Sequence, residues 1–294
     1  MPGIYKSAEG QQAVETLYRS VLKRWPVPYR HLMVPTREGE TSIIASGDED
    51  APPVVLLHGS GTNATSWIRE VASLAQRFSV YAIDMIGETG LSAPARPPLA
   101  SDRHAAWLDD VWRGLGLTDA HVVGVSLGGW LGLDLAVRVP ERVASLVLVS
   151  PSGIGRQNHL TLMKIGLVKM FGTRGLRRSF AIVAGREMPA ALAGPMTTVF
   201  THFRPRMERI PVRTDDELAA LNIPVLAILG GRDTLLSSGE TRDRLARLVS
   251  GARIIYLEDE GHIVPPQSAA IADFLAANAA SGRAAQARRR VSYS

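Results

Sequence analysis

The segment HVVGVSLGGWLGLDL (residues 121–135) carries the strongest fold signal of this chain, because three local patterns follow one another within it. Residues 121–125 form an apolar run typical of a strand, and apolar residues recur at helical spacing from Leu127 onward. Between the two patterns lies a Gly-X-Ser-X-Gly pentapeptide that is centred on Ser126. A strand, this pentapeptide and a helix together indicate a sharp turn that lifts a nucleophilic serine clear of the sheet.

The crowding in such a turn explains why the pentapeptide carries Gly124 and Gly128. Side chains two residues before and two residues after the serine would collide with each other and with the start of the helix, so neither position tolerates a Cβ. The backbone N–H of Leu127 lies in the first turn of the helix, where it has no intrahelical partner and can stabilise a developing oxyanion. We therefore predict Ser126 as a nucleophile and Leu127 as an oxyanion donor.

The composition limits the class of protein. A chain of 294 residues, 46% of them apolar, suits one large α/β domain or two small ones. The chain contains no cysteine, which excludes disulfides, thiol catalysis and thiolate metal sites. No His-x-x-x-His or comparable ligand pattern occurs, so we expect no bound metal. A serine nucleophile needs no cofactor, and none is expected.

Targeting and charge patterns favour a cytoplasmic location. There is no run of 18 apolar residues and no signal-peptide pattern, so we expect no membrane span. The net charge is +5, and the last fourteen residues contribute +4 of it. Residues 282–294 are therefore predicted to form a disordered basic tail, and no nucleic-acid partner is expected.

Short apolar runs alternate with helical patterns along most of the chain. An amphipathic helix is predicted at about residues 8–24, and residues 29–35 and 40–46 alternate apolar and polar as in a β-hairpin. Six further runs are typical of buried strands: 54–57, 78–84, 121–125, 145–150, 224–229 and 253–257. Further helices are predicted at about 101–115, 239–249 and 266–280. This alternation predicts an α/β fold with a mostly parallel, eight-stranded sheet flanked by helices.

Residues 152–221, which follow the sixth strand, contain no apolar run of the strand type. They are predicted to be helical in pieces, with breaks at Gly172, Pro189, Pro195, Pro205 and Pro211. Eleven Lys or Arg residues stand against five acids, and five of the eight methionines are found here. The methionines suit an adaptable apolar pocket and the cations an anionic substrate, but ordinary helix packing and a solvated surface explain these compositions equally well. No individual substrate-binding residue is predicted.

The residues with catalytic chemistry gather at the ends of predicted strands. His58, Asp84, Ser126, Asp233 and His262 each close a strand or begin the loop that follows it. The carboxyl ends of parallel strands share one edge of a sheet, and ligands bind at that edge in such folds. These five side chains are therefore predicted to lie at the ligand-binding edge.

A serine nucleophile needs a base within hydrogen-bond reach, and the base needs an acceptor that orients it. His262 lies after the last strand, in a loop that could swing over Ser126, and is the predicted base. Asp233, at the end of the preceding strand, is the predicted acid, with Asp84 as its rival. Asp84 is expected instead to tie down its own loop through backbone N–H groups, and His58 to make a structural hydrogen bond. The remaining histidines are expected to be structural or solvated: His31, His104, His121, His159 and His202.

A second oxyanion donor is expected in the loop that follows residues 54–57. There Gly59-Ser60-Gly61 lets the backbone approach a substrate closely. We predict the N–H of Ser60 as the donor, with that of Gly61 as the second choice. In a site that excludes water, such a donor typically contributes about 3 kcal/mol to the transition state.

Five segments in this order resemble the α/β-hydrolase superfamily over about residues 29–280: HGSGTNATSW, DMIGETGLS, GVSLGG, GGRD and EGH. The resemblance implies Ser126 as nucleophile, Asp233 as acid and His262 as base. It also implies an α/β-hydrolase core of residues 1–151 and 222–281, with a helical cap (152–221) inserted after the sixth strand. Glu88-Thr89 departs from the residues usual after the aspartate of DMIG, and two roles stay open for Glu88: a hydrogen bond within its loop, or a place facing the cleft.

The residues favour a serine carboxylesterase that cleaves a small, largely apolar ester through an acyl-enzyme. Ser126 argues against haloalkane dehalogenases and epoxide hydrolases, which place an aspartate at the elbow. The HGSG segment is similar to that of carbon–carbon bond hydrolases of ring-fission products, although the chain continues HGSGTN rather than HGSGPG. Acyl transfer, cofactor-free perhydrolysis and a non-catalytic ligand-binding role are also compatible with these residues. A monomer or homodimer is expected.

Overall fold

The computed structural model describes the backbone of residues 3–291 and the side chains of residues 3–280. Eight strands form one sheet in the order β1-β2-β4-β3-β5-β6-β7-β8. Their bounds are β1 Tyr29–Thr36, β2 Gly39–Ser46, β3 Pro53–Leu57, β4 Ser79–Ile83, β5 Ala120–Val125, β6 Val143–Val149, β7 Val225–Gly230 and β8 Arg253–Leu257. Strands β1 and β2 are an antiparallel hairpin, and β3 to β8 run parallel. The predicted eight-stranded, mostly parallel sheet is confirmed.

Ten α-helices accompany this sheet in the described part of the chain. They are α1 Ala8–Leu22, α2 Val71–Leu74, α3 Arg103–Gly114, α4 Leu127–Arg138, α5 His159–Lys169, α6 Gly172–Ala184, α7 Ala190–His202, α8 Asp215–Ala219, α9 Ser238–Leu248 and α10 Ser268–Val291. Helices α5 to α8 lie between β6 and β7, within the segment 152–221, which we call the insert.

The sheet is buried on both faces because its central strands are largely apolar along their length. In β3, Val55 and Leu57 belong to one apolar core, together with side chains of α3, α4 and α9. Val54 and Leu56 point the other way, into a second core with side chains of α1, α2 and α10. Alternate residues of one strand thus bury themselves under different helices, as a doubly covered parallel sheet requires.

Two buried contacts are among those that attach the insert to the rest of the chain. Near the N-terminus, Ile4 and Val14 pack with Val199 and Phe203 at the end of α7. At the other end, Arg213 forms a buried ion pair with Asp134 of α4 and stacks over Trp130, 5.3 Å from its ring centroid. The indole N–H of Trp130 also donates to the carbonyl of Pro211 at 2.9 Å. Both attachments connect the insert to the main body of the fold.

The predicted helix break at Pro195 is wrong, since Pro195 lies inside α7. A proline within a helix removes one backbone hydrogen bond. The burial of Val199 and Phe203 at the end of the same helix offsets that cost, and this tertiary contribution is not visible in local sequence.

Helix α10 extends beyond residue 280, where local spacing predicts its end. It runs from Ser268 to Val291, so residues 282–291 are helical and the predicted disorder of this part of the tail is wrong. Three alanines in residues 281–291 favour the extension, because alanine has the highest helix propensity. The side chains from residue 281 onward and the last three residues of the predicted tail lie outside the described residues.

Candidate active site

The turn from β5 into α4 has the strained geometry that the pentapeptide predicts. Ser126 has φ 52° and ψ −109°, an unfavourable conformation for a residue with a side chain. Its N–H donates to the carbonyl of Val149 at 2.9 Å, which fixes the turn to β6. A Cβ on Gly124 would overlap the backbone of Gly128, and one on Gly128 would overlap the carbonyl of Leu57. The two glycines are therefore required by the close approach of strand, turn and helix.

Ser126, His262 and Asp233 form a continuous hydrogen-bonded series. The Nε2 atom of His262 lies 3.1 Å from the Oγ of Ser126, and its Nδ1 atom lies 2.7 Å from the Oδ2 of Asp233. The other carboxylate oxygen of Asp233 accepts the N–H groups of Leu235 at 2.8 Å and Leu236 at 3.0 Å. The side chain of Asp233 is fully buried and that of His262 is 9% exposed. A buried carboxylate that is fixed by two backbone donors holds the imidazole in one orientation.

The insert contacts the loops that carry this series. From the end of α6, the carbonyl of Val183 accepts the N–H of His262 at 3.3 Å, and the carbonyl of Ile182 accepts the hydroxyl of Thr234 at 2.9 Å. From α7, the ring of Phe200 lies against Gly61, where it would meet a Cβ. The insert therefore touches the loops of the predicted base, the predicted acid and the candidate oxyanion donors.

The structure distinguishes the two candidates for the second oxyanion donor. The N–H of Gly61 donates to the Oε2 of Glu88 at 2.6 Å, so it is not free to bind a substrate. The second choice, Gly61, is therefore wrong. Within the described residues, the N–H groups of Ser60 and Leu127 have no hydrogen-bond acceptor. These two donors remain available to a substrate.

Glu88 does not form its hydrogen bond within its own loop, because its side chain crosses to the loop of Ser60 and Gly61. Its side chain is 2% exposed and lies 3.5 Å from the hydroxyl of Ser60, besides accepting from Gly61. Burial raises the pKa of the Glu88 carboxyl to about 7, although the Gly61 hydrogen bond and the guanidinium groups of Arg96 and Arg206 oppose this rise. The sequence shows only a single carboxylate in the loop after β4. It does not indicate the partner, Gly61, which lies 27 residues away.

Asp84 and His58 are engaged in holding loops together. One oxygen of Asp84 accepts the N–H of Ala64 at 2.8 Å, and the other accepts the N–H of Leu91 at 3.0 Å. His58 accepts the N–H of Met85 on Nε2 at 3.0 Å, so its proton lies on Nδ1, 2.8 Å from the carbonyl of Gly59. Burial lowers the pKa of His58, which favours this neutral form. Neither side chain contacts His262.

The other histidines lie away from Ser126 and do not contact it in the described structure. His31 bonds Ser42 at 2.9 Å and His121 bonds Ser145 at 2.8 Å. His104 is buried against Trp130, and burial lowers its pKa to about 3. Within the described residues, no group of three or more His, Asp and Glu side chains could hold a metal ion.

At the level of sequence, the family match and the curated relatives of this chain agree with one another. Residues 54–277 match the family described as the alpha/beta hydrolase family. The "Uncharacterized carboxylesterase nap" of Bacillus subtilis (strain 168) is 30% identical over 255 residues, which covers 84% of this chain and 85% of the relative. "Carboxylesterase YbfK" of the same organism is 30% identical over 258 residues, covering 84% and 86%.

Solved structures of carboxylesterases superpose on this chain over most of its length. The carboxylesterase CesB (YbfK) from Bacillus subtilis superposes with a TM-score of 0.81 at 27% identity, covering 90% of this chain and 96% of the other. The naproxen esterase (carboxylesterase NP) from Bacillus subtilis superposes with a TM-score of 0.81 at 26% identity, covering 91% and 97%. The sheet, the strained serine turn and these relatives lead to one conclusion: the chain belongs to the alpha/beta hydrolase family.

Proposed function

We propose that this protein is a serine carboxylesterase in which Ser126, His262 and Asp233 are the catalytic residues. The observation that carries the proposal is the hydrogen-bonded series from Ser126 through His262 to the buried Asp233. The curated relatives named as carboxylesterases support ester hydrolysis, since each aligns over more than four-fifths of both chains. The substrate class that we propose is a small, largely apolar carboxylic ester.

The first half of the reaction forms an acyl-enzyme. The hydroxyl oxygen of Ser126 attacks the ester carbonyl while Nε2 of His262 takes the hydroxyl proton. The carbonyl oxygen becomes an oxyanion that accepts hydrogen bonds from the N–H groups of Ser60 and Leu127. The tetrahedral intermediate then collapses, the bond to the alcohol breaks, and the imidazolium gives its proton to the departing alkoxide oxygen.

The second half releases the acid. Water enters the position that the alcohol has left, and His262 removes a proton from it as it attacks the acyl carbonyl. The same two N–H groups hold the second oxyanion. Collapse of this intermediate breaks the bond to Ser126, which recovers its proton from His262. The negative charge of Asp233 stabilises the imidazolium in both halves, and no cofactor takes part.

The insert is proposed to act as a cap over this site. Its contacts with the loops of His262, Asp233 and Gly61 support the proposal, because the acyl group or alcohol of an ester above Ser126 would then meet helices α6 and α7. The core would comprise residues 1–151 and 222–281. A monomeric or homodimeric state and a cytoplasmic location also remain proposals. The described residues contain no helix that could cross a membrane.

The experiment that tests the function is hydrolysis of p-nitrophenyl esters from acetate to palmitate by the wild type and by Ser126→Ala. We expect turnover by the wild type and a fall to background in the variant. The chain-length profile would measure the space under the cap. Turnover that survives in Ser126→Ala would contradict the assignment. Absence of turnover on every ester would favour carbon–carbon bond hydrolysis or acyl transfer, which a coloured ring-fission product and an added acyl acceptor would then test.

A further inference from the structure

Helix α5 and the two residues after it expose a continuous apolar stripe. Its members are large apolar side chains that are 61–81% exposed and share one helix face: Leu160, Met163, Leu167, Met170 and Phe171. Spacings of three and four residues place side chains one above another along a helix. We call these five side chains the apolar stripe.

The apolar stripe is not the core-facing side of α5. The buried residue of α5 is Ile165, which is 8% exposed and lies on the opposite side of the helix, and α5 packs against α6. The helix therefore has two apolar faces, and only one of them is covered within the described residues. Contiguous exposed apolar surface of this kind is uncommon on a protein that acts alone, and it marks a site of interaction.

Positive charge lies beside the apolar stripe, at its Phe171 end. Residues 157–186 hold six Lys or Arg residues and no Asp or Glu. Five of these cations and Glu187 line a cleft of about 1190 Å³ that also reaches Phe171 of the stripe. One of the five, Arg186, pairs with Glu260. The other four are Lys164, Arg174, Arg177 and Arg178. None of the four forms an ion pair with another described residue, although most arginines elsewhere in the described chain do. We call them the four cations.

We infer that the apolar stripe and the four cations form a docking surface for an anionic lipid surface. A convex apolar helix with cations beside it fits the boundary between lipid headgroups and acyl chains, where the apolar side chains enter the acyl region. The ammonium and guanidinium groups then lie at the level of the lipid phosphates, whose negative charge attracts them. Such docking is peripheral and needs no membrane-spanning helix.

Charge argues against a second copy of the chain as the occupant. A symmetric contact pairs a surface with itself, so the four cations of both copies would lie in one interface and repel one another. An anionic lipid surface instead compensates those charges. Lipid packing also adapts to a convex ridge, whereas a protein partner would need a matching groove.

The test is co-sedimentation of the full chain with lipid vesicles. We expect the protein to sediment with phosphatidylglycerol vesicles and to stay in the supernatant with pure phosphatidylcholine vesicles. Binding should weaken as salt is raised, because salt screens the attraction between exposed charges. The Ser126→Ala variant should bind as the wild type does, so vesicle binding and ester hydrolysis can fail independently.

Two variants and two matched controls separate the contributions of the apolar stripe and of the cations to vesicle binding. Leu167→Gln combined with Phe171→Gln should weaken partitioning onto phosphatidylglycerol about tenfold or more, since it removes two inserting side chains. Arg174→Glu should weaken it about fivefold or more, by reversing one charge beside the stripe. Met33→Gln on edge strand β1 replaces an apolar side chain that is 42% exposed, and Arg253→Glu reverses a charge on β8; both should bind as the wild type does.

Retained turnover of p-nitrophenyl acetate would show that each stripe variant is folded. The inference is overturned if the wild type binds neither vesicle, if it binds both equally, or if the stripe variants and the controls bind alike. It is also overturned if sedimentation equilibrium shows a dimer that dissociates in the Leu167→Gln, Phe171→Gln variant, since the stripe would then be an interface between copies.

Discussion

The carboxylate of Asp233 has three hydrogen-bond partners, and only one of them is His262. The two backbone donors fix its position, so asparagine at this site keeps the shape of the side chain and removes its charge. We expect Asp233→Asn to lower kcat for p-nitrophenyl acetate by about 10⁴, because an amide neither stabilises the imidazolium nor selects the productive tautomer. Asp259→Asn, at an 84% exposed side chain, is the control and should retain full activity. An Asp233→Asn enzyme within about tenfold of the wild type would remove Asp233 from the mechanism.

Glu88 gives the chain a pH-dependent stability. Its folded-state pKa of about 7 lies above the ordinary value of 4.5, so the folded chain holds this proton more tightly than the unfolded chain does. Its contribution is therefore complete below pH 4.5 and is lost as the pH rises through about 7. We expect the free energy of unfolding of the wild type to fall by on the order of 3 kcal/mol more than that of Glu88→Gln between about pH 4.5 and pH 8.

Urea unfolding at a series of pH values measures this difference. Glutamine keeps an oxygen that can accept the N–H of Gly61, so the loop that holds Ser60 should persist in the variant and ester turnover should be retained. Parallel stability curves for wild type and Glu88→Gln would show that Glu88 does not titrate in this range.

At the level of elements, the β5–α4 turn depends on close backbone approach. A Cβ on Gly128 would overlap the carbonyl oxygen of Leu57 at the end of β3. We expect Gly128→Ala to destabilise the protein by at least about 2 kcal/mol, as overpacking against backbone does, and to displace Ser126 enough to abolish turnover. Thermal unfolding and ester hydrolysis measure the two effects. The control is Gly239→Ala in α9, where a Cβ meets nothing within 4 Å and alanine should be neutral or stabilising.

The ion pair of Asp134 and Arg213 joins α4 to the end of the insert. Both side chains are buried, at 0% and 6% exposure. Removal of Asp134 therefore takes the buried partner from the Arg213 guanidinium and leaves it only Glu217, whose side chain is 34% exposed. We expect Asp134→Ala to lower the free energy of unfolding by about 3–5 kcal/mol in urea denaturation. Glu49→Ala breaks the exposed pair with Arg30, whose side chains are 66% and 53% exposed, and should change stability by less than about 1 kcal/mol. Similar losses of unfolding free energy in the two variants would show that the buried ion pair contributes no more to stability than an exposed one.

For the molecule as a whole, most of what can be predicted from the sequence comes from short motifs and from the spacing of apolar residues within each element. The pentapeptide around Ser126 specifies its own turn, and the apolar runs specify strands whose carboxyl ends must meet at one edge of the sheet. His262 and Asp233 can therefore be selected from their places after the last two strands. The prediction of a carboxylesterase-like α/β-hydrolase is confirmed by the family match and by the relatives.

What sequence cannot supply depends on contacts between distant segments. The N–H of Gly61 is bonded to Glu88 only because two loops meet above the sheet, and nothing near Gly61 in sequence indicates it. Pro195 stays helical because the end of α7 is buried against the N-terminal segment. Similarly, the composition of the insert does not reveal that Met163 and Met170 face outward.

Covalent labelling is the sharpest test of Ser126 as a nucleophile activated by His262. The wild type, Ser126→Ala and His262→Ala are treated with a fluorophosphonate, and the modified residue is located by peptide mass spectrometry. We predict one adduct on Ser126 in the wild type, none in Ser126→Ala, and labelling in His262→Ala that is slower by at least about 10³, because the hydroxyl has lost its base. Labelling of a different residue in the wild type, or undiminished labelling of Ser126→Ala, would contradict the proposed mechanism.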